Sequence, residues 1–200
     1  MGWMKDETGL DKCAANYVAL SPLSHLARAA DVFAHHTAVV YGDHHRVTYA
    51  QYHARCTQLA SALADMGVTS GDVVATLLPN TPAQAEAHFG VPACGAVLNT
   101  INTRLDVDTV AYIFDHGGAS VVLADSQFVA LAEAAAARME GSGPKIIEVP
   151  DAPAGFPATG RHPVYEDVLA AADASFQWHM PQDEWESLAL NYTSGTTGRP

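Results

Sequence analysis

The run Val73-Val74-Ala75-Thr76-Leu77-Leu78 carries no charge and no alternation of polar with apolar positions. A strand that is apolar on both faces must be covered on both, which is the condition of a strand in a parallel sheet between helix layers. Ser120 to Ala124 repeats this character, and Ala96 to Leu98 and Lys145 to Val149 are further strand candidates. Helical spacings lie between them. Thr81-Pro82 opens a helix through about Gly90, with Pro92 bending or ending it. Asp106 or Asp108 caps another through Phe114, stopped by Gly117-Gly118, and Gln127 to Met139 is an alanine-rich third. Strand and helix in alternation with short connections predict an α/β fold, a layered domain with a largely parallel sheet.

The flanks are simpler. Ser21-Pro22 caps a helix whose apolar positions are Leu23, Leu26, Ala27, Ala30 and Phe33. Thr37 to Tyr41 and Arg46 to Tyr49 read as an antiparallel hairpin around Gly42-Asp43. Tyr52, Cys56, Leu59, Leu63 and Met66 stripe a helix from Tyr49 to Met66, ended by Gly67. Downstream, Pro150 to Pro163 reads as a surface loop, Tyr165 to Ala172 as a short helix, and Ser187 to Tyr192 as a last strand.

With 48% apolar residues, 200 residues can bury a substantial core. A net charge of −12, with only ten Lys plus Arg, argues against nucleic acid or an anionic membrane as partner. No apolar run approaches a membrane span, and the first ten residues lack the pattern of a signal peptide. Cys13, Cys56 and Cys94 are odd in number and widely spaced, so a reduced, cytoplasmic protein is expected. His53 and Cys56 share a helix face, but no spacing of a zinc site accompanies them, and metal ligands are assigned to none. Tyr112, Tyr165 and Trp185 are expected to pack rather than stack on a substrate. His116, next to Asp115 at a helix end, is expected to complement the helix dipole.

The residues that carry chemistry stand at the end: Tyr192-Thr193-Ser194-Gly195-Thr196-Thr197-Gly198-Arg199-Pro200. Glycines allow a tight turn and close backbone approach, and N–H groups with Ser/Thr hydroxyls are neutral donors to phosphate oxygens. The spacing is not that of a Walker loop, because only two residues separate Gly195 from Gly198. The string resembles the phosphate-binding signature of the AMP-forming adenylate synthetases, which include acyl-CoA synthetases, luciferases and peptide-synthetase adenylation domains. Leu78-Pro79-Asn80-Thr81-Pro82, the segment Cys94 to Leu105, and Trp185 to Asn191 resemble the same family, although turn residues such as those of 94–105 first suggest loop shaping.

The resemblance implies an ATP-dependent acyl-CoA ligase. The full-length parent activates a carboxylic acid as acyl-AMP and passes it to CoA, with ATP, Mg²⁺ and CoA as substrates or cofactors. It implies that Thr193, Ser194, Gly195, Thr196, Thr197 and Gly198 grip the β- and γ-phosphates, with the Thr193 hydroxyl also toward Mg²⁺, while Arg199 reads as a solvated charge. Residues 1–200 would be the N-terminal portion of the synthetase domain, ending inside the phosphate motif. In the family the adenine, ribose, metal and most acyl-binding residues follow that motif, so no catalytic residue is assigned and the chain alone is expected to be inactive. A peptide-synthetase adenylation domain and a non-catalytic α/β binding module are the alternative readings.

Overall fold

The structure is a computed structural model that describes residues 8–9, 11–43 and 45–193. Helix α1 (Pro22–Val32) starts where the Ser21 side chain accepts a hydrogen bond from the Leu23 N–H, with proline in its first turn. Strands β1 (Thr37–Tyr41) and β2 (His45–Thr48) pair antiparallel. The hairpin ends one residue earlier than its sequence suggests. Thr48 and Gln51 form a reciprocal capping box, so Tyr49 becomes the first residue of α2 (Tyr49–Asp65) instead of the last of a strand.

The main sheet is five-stranded and wholly parallel, as expected. Its strands are β3 (Val73–Leu77), β4 (Val97–Thr100), β5 (Ala119–Asp125), β6 (Lys145–Val149) and β7 (Ala189–Leu190). They stand in the order β6-β5-β3-β4-β7. The crossover helices are α3 (Pro82–Ala93), α4 (Val107–Gly117), α5 (Val129–Ala136) and α6 (Tyr165–Ala171). Chain connections running toward β7 carry α3 and α6, and those running toward β6 carry α4 and α5. Right-handed crossovers therefore put these pairs on opposite faces. Two cores result. Val74, Leu98, Val121, Leu123 and Ile147 meet α2, α3 and α6 on one face. Ala75, Leu77, Ile101, Val122 and Ala124 meet α4 and α5 on the other. The two buried runs read from the sequence are β3 and β5, so their lack of alternation reflects cover on both sides.

Three elements depart from their sequence-based bounds. The alanine-rich helix is shorter than 127–139: a 3₁₀ turn, Ser126–Phe128, leads into α5, because Asp125 accepts from the Gln127 N–H and turns the chain first. Pro92 lies within the last turn of α3 and does not end it earlier. The last strand is two residues long, since it pairs only along Leu98 and Asn99 of β4. The loop after β6 is more anchored than a surface excursion. Asp151 is buried and accepts from the Tyr41 hydroxyl, and Thr159 donates through its N–H (2.6 Å) and hydroxyl (2.9 Å) to the fully buried Glu148. Burial pushes the Glu148 carboxyl up, but these bonds, that from Ser126 and the nearby His162 bring it below its ordinary range.

Helices α2 and α3 cross closely because Gly90 has no side chain. A methyl there would stand 2.7–2.9 Å from the Leu59 side chain, whose Cβ cannot swing away. Gly90→Ala is expected to destabilise the protein by about 1–3 kcal/mol, the cost of overpacking. That outweighs the gain of about 1 kcal/mol in helix propensity. An unfolding midpoint that is unchanged or raised would contradict the tight crossing.

Candidate functional site

All five strands of the main sheet run the same way, so their carboxyl ends share one rim. Pro79-Asn80-Thr81, Asn102, Ser126, Asp151 and Asn191-Tyr192-Thr193 all leave from it. Ligands of open α/β sheets bind outside that rim, where neighbouring connections diverge. Here they diverge between the adjacent strands β3 and β5, whose connections leave toward β4 and toward β6.

The chain reaches the hydroxyl-rich string along β7, in register with β4 through Leu98↔Ala189 and Asn99↔Leu190. Beyond β7 two side-chain bonds hold it. The Thr100 hydroxyl donates to Asn191 Oδ1 at 3.0 Å. The Tyr192 hydroxyl lies 2.7 Å from His116 Nδ1 in the last turn of α4. Tyr112 stacks on His116 with ring centroids 5.2 Å apart and meets Tyr192 edge-on at 6.4 Å. Burial raises the Tyr192 phenol above its ordinary pKa, and Tyr112 adds to this. His116 thus does more than meet a helix dipole, since it holds a residue 76 positions away. Of the six residues assigned to phosphate, Thr193 is exposed at the end of this anchored segment. Ser194, Gly195, Thr196, Thr197 and Gly198 lie outside the described residues.

Other sequence candidates resolve into packing. His53 stacks on Trp178 at 4.4 Å, burial lowers its pKa, and the neighbouring Cys56 is buried with its thiol pushed up by burial. Among the described residues no three His, Cys, Asp or Glu converge on a metal position, and no helix is long and apolar enough to cross a membrane. Tyr165 is buried and Tyr112 half-buried, in keeping with packing roles. Trp185 is not: it is 93% exposed.

Sequence reading missed a buried ion network beside the rim. Glu86, 1% exposed in α3, accepts from Arg55 Nε at 2.5 Å and Nη2 at 3.2 Å, and from the Tyr165 hydroxyl at 2.7 Å. Arg55 also reaches Glu166 at 2.6 and 3.0 Å. Burial alone would lower the Arg55 pKa, but the two carboxylates hold it above its ordinary value. The network ties α2, α3 and α6 together. Only the oddity of a lone glutamate in the apolar helix Pro82–Ala93 hints at it in the sequence. A groove of about 650 Å³, walled in part by Val39, Tyr52, Phe89 and Leu188, runs along α3.

Residues 26–200 match the family described as AMP-binding enzyme. The chain is similar to a peroxisomal acetate/butyrate–CoA ligase of Arabidopsis thaliana, 45% identical over 207 residues, covering 98% of this chain and 36% of that one. It is 40% identical over 208 residues to an acetate–CoA ligase of Humulus lupulus, with the same two coverages. Among solved structures, an anthranilate–CoA ligase in complex with anthranoyl-AMP matches with a TM-score of 0.82 at 24% identity, over 95% of this chain and 35% of that one. The inhibitor-bound N-terminal domain of FACL13 from Mycobacterium tuberculosis matches with a TM-score of 0.70 at 27% identity, over 89% and 42%. The chain therefore spans 36% of the length of these two curated relatives.

Proposed function

The chain belongs to the AMP-binding enzyme family, and on that premise we propose that it forms the N-terminal portion of an ATP-dependent carboxylic acid–CoA ligase. The observation that carries this reading is where the hydroxyl-rich string begins. Tyr192-Thr193 leaves the carboxyl rim of a parallel sheet, held by Thr100 and His116, and ligands of such sheets bind outside that rim. Thr193, Ser194, Gly195, Thr196, Thr197 and Gly198 then grip the β- and γ-phosphates of ATP. A carboxylate attacks the α-phosphorus, pyrophosphate leaves, and the acyl group passes from AMP to the thiol of CoA. The loop's part is to orient the triphosphate and meet its charge with donors already in place, which is where most of the rate in such transfers arises.

The string Thr193 to Gly198 offers hydroxyls and N–H groups and carries no charged side chain. That donor set suits phosphate oxygens, whose charge Mg²⁺ would help to neutralise. Relatives named for acetate and butyrate support a short-chain acid as substrate and CoA as acceptor. Cys13, Cys56 and Cys94 are free thiols, which suits a reducing compartment such as the cytosol.

The test is acid-dependent exchange of pyrophosphate into ATP by the full-length polypeptide, with acetate, butyrate and longer acids, followed by thioester formation on adding CoA. Exchange with a short acid is expected. The 200-residue chain alone is expected to show none, because it spans only 36% of the length of its curated relatives. Full-length protein that neither binds ATP nor exchanges with any acid would overturn the reading.

A further inference from the structure

Strand β7 does little to fix the direction of the chain that leaves it. It is two residues long and pairs with β4 only along Leu98 and Asn99. Side chains must therefore aim Thr193. The bond from Thr100 to Asn191, at 3.0 Å, joins only the ends of two neighbouring strands. The bond between Tyr192 Oη and His116 Nδ1, at 2.7 Å, ties the chain to another layer, the last turn of α4.

The end of α4 is a firm support. Ile113 and Phe114 bury it in the core, and Gly118, left-handed with φ of 66°, closes it. Three rings brace one another there. Tyr112 stacks on His116, and Tyr192 meets both edge-on, with centroids 5.8 Å from His116 and 6.4 Å from Tyr112. A methyl at Gly117 would stand 3.3 Å from Tyr192 Oη, so glycine leaves room for the phenol. Burial, with Tyr112, keeps that phenol above its ordinary pKa and hence protonated. A hydroxyl can donate to Nδ1 or accept from it, so the bond holds for either tautomer of His116.

His116 is itself exposed and adds nothing to the core, and α4 is already closed by Gly118. What its imidazole holds is the residue directly before Thr193. We propose that His116 is a positioning residue for the phosphate-binding loop and acts through the Tyr192 hydroxyl. Tyr112 sets the plane of the imidazole, and the bond fixes the backbone from which Thr193 sets out. The inference rests on the ligase reading above. His116 touches no substrate; it decides where the first donor of the loop stands, and a small misplacement of such groups is costly to the rate.

The test is ATP-dependent, acid-dependent pyrophosphate exchange by the full-length protein, normalised to folded protein and measured below every unfolding midpoint. His116→Leu and Tyr192→Phe are each expected to lower kcat/KM for ATP by about ten- to a hundredfold, the range such misplacement produces. Their unfolding midpoints should stay near that of wild type. The double variant should be no slower than the slower single, because both changes remove one bond. His116→Asn, whose amide stands where Nδ1 stood, should recover most of the rate. A merely structural residue would shift the midpoint, leave the rate per folded molecule unchanged and give no such rescue. Single variants at the wild-type rate, losses that multiply in the double, or His116→Asn as slow as His116→Leu would each overturn the inference and leave the ligase reading standing. If His116→Leu fails to fold, Tyr192→Phe keeps the ring and loses only the hydroxyl, and a wild-type rate from it overturns the inference alone. If wild type exchanges with no acid, the ligase reading falls and this inference with it.

Discussion

Full-length protein carrying Thr196→Ala is expected to lose adenylation by about 10²–10³-fold in kcat, equivalent to about 2.7–4 kcal/mol for a donor aimed at developing charge. Thr197→Ala is expected to behave alike, and the two together to fall short of additive, because neighbouring donors share one anion. The reason lies in the composition of the string Thr193 to Gly198. It holds no Lys, Arg or carboxylate, so its hydroxyls and N–H groups are all it offers to the phosphates. The measurement is single-turnover pyrophosphate release with saturating acid. Release at the wild-type rate in both variants would remove these residues from the phosphate site. A rise in KM for ATP with kcat unchanged would assign them to ground-state binding alone.

Arg55→Met is expected to destabilise the protein by about 3–5 kcal/mol, because it strands a buried carboxylate. Glu86 would keep only the Tyr165 hydroxyl as partner, since both of its arginine bonds vanish. Replacing the set together, as Arg55→Met with Glu86→Leu and Tyr165→Phe, is expected to recover much of the loss, because no buried charge remains. Denaturant midpoints of the single and triple variants test both halves. A single variant within 1 kcal/mol of wild type, roughly the worth of an exposed pair, would show that Glu86 finds water or another partner. The consequence reaches function: α3 begins at the turn Pro79-Asn80-Thr81 on the ligand-binding rim, so loosening its tie to α2 and α6 should also disturb ATP binding.

Much of this architecture is legible without coordinates, and for a local reason. The uninterrupted apolar runs at 73–78 and 120–124 demand two-sided cover, and they are β3 and β5. Caps at Ser21, Thr81 and Asp106 mark helix starts, because proline geometry and Asp or Ser side chains act within one turn of chain. The order Tyr-Thr-Ser-Gly-Thr-Thr-Gly is likewise a local property, since loop donors and glycine freedom belong to the residues themselves. From the sequence alone come the fold class and the family resemblance.

Other features depend on which parts of the chain meet. The order β6-β5-β3-β4-β7 leaves no periodic mark, because strands with two apolar faces are interchangeable until their helices choose a side. The partners of Glu86, Arg55 and Tyr165, arrive from 31 and 79 positions away. Trp185 reads as packing and stands exposed, since burial depends on a neighbour that local spacing does not supply. Asn99 reads as a turn residue, yet its place in β4 opposite Leu190 puts its amide beside Gly117. The sequence by itself determined the elements and the chemistry of the loop, because both arise from interactions a few residues long. Only the tertiary structure decided how the root of that loop is held, because that requires β4, α4 and β7 to come together.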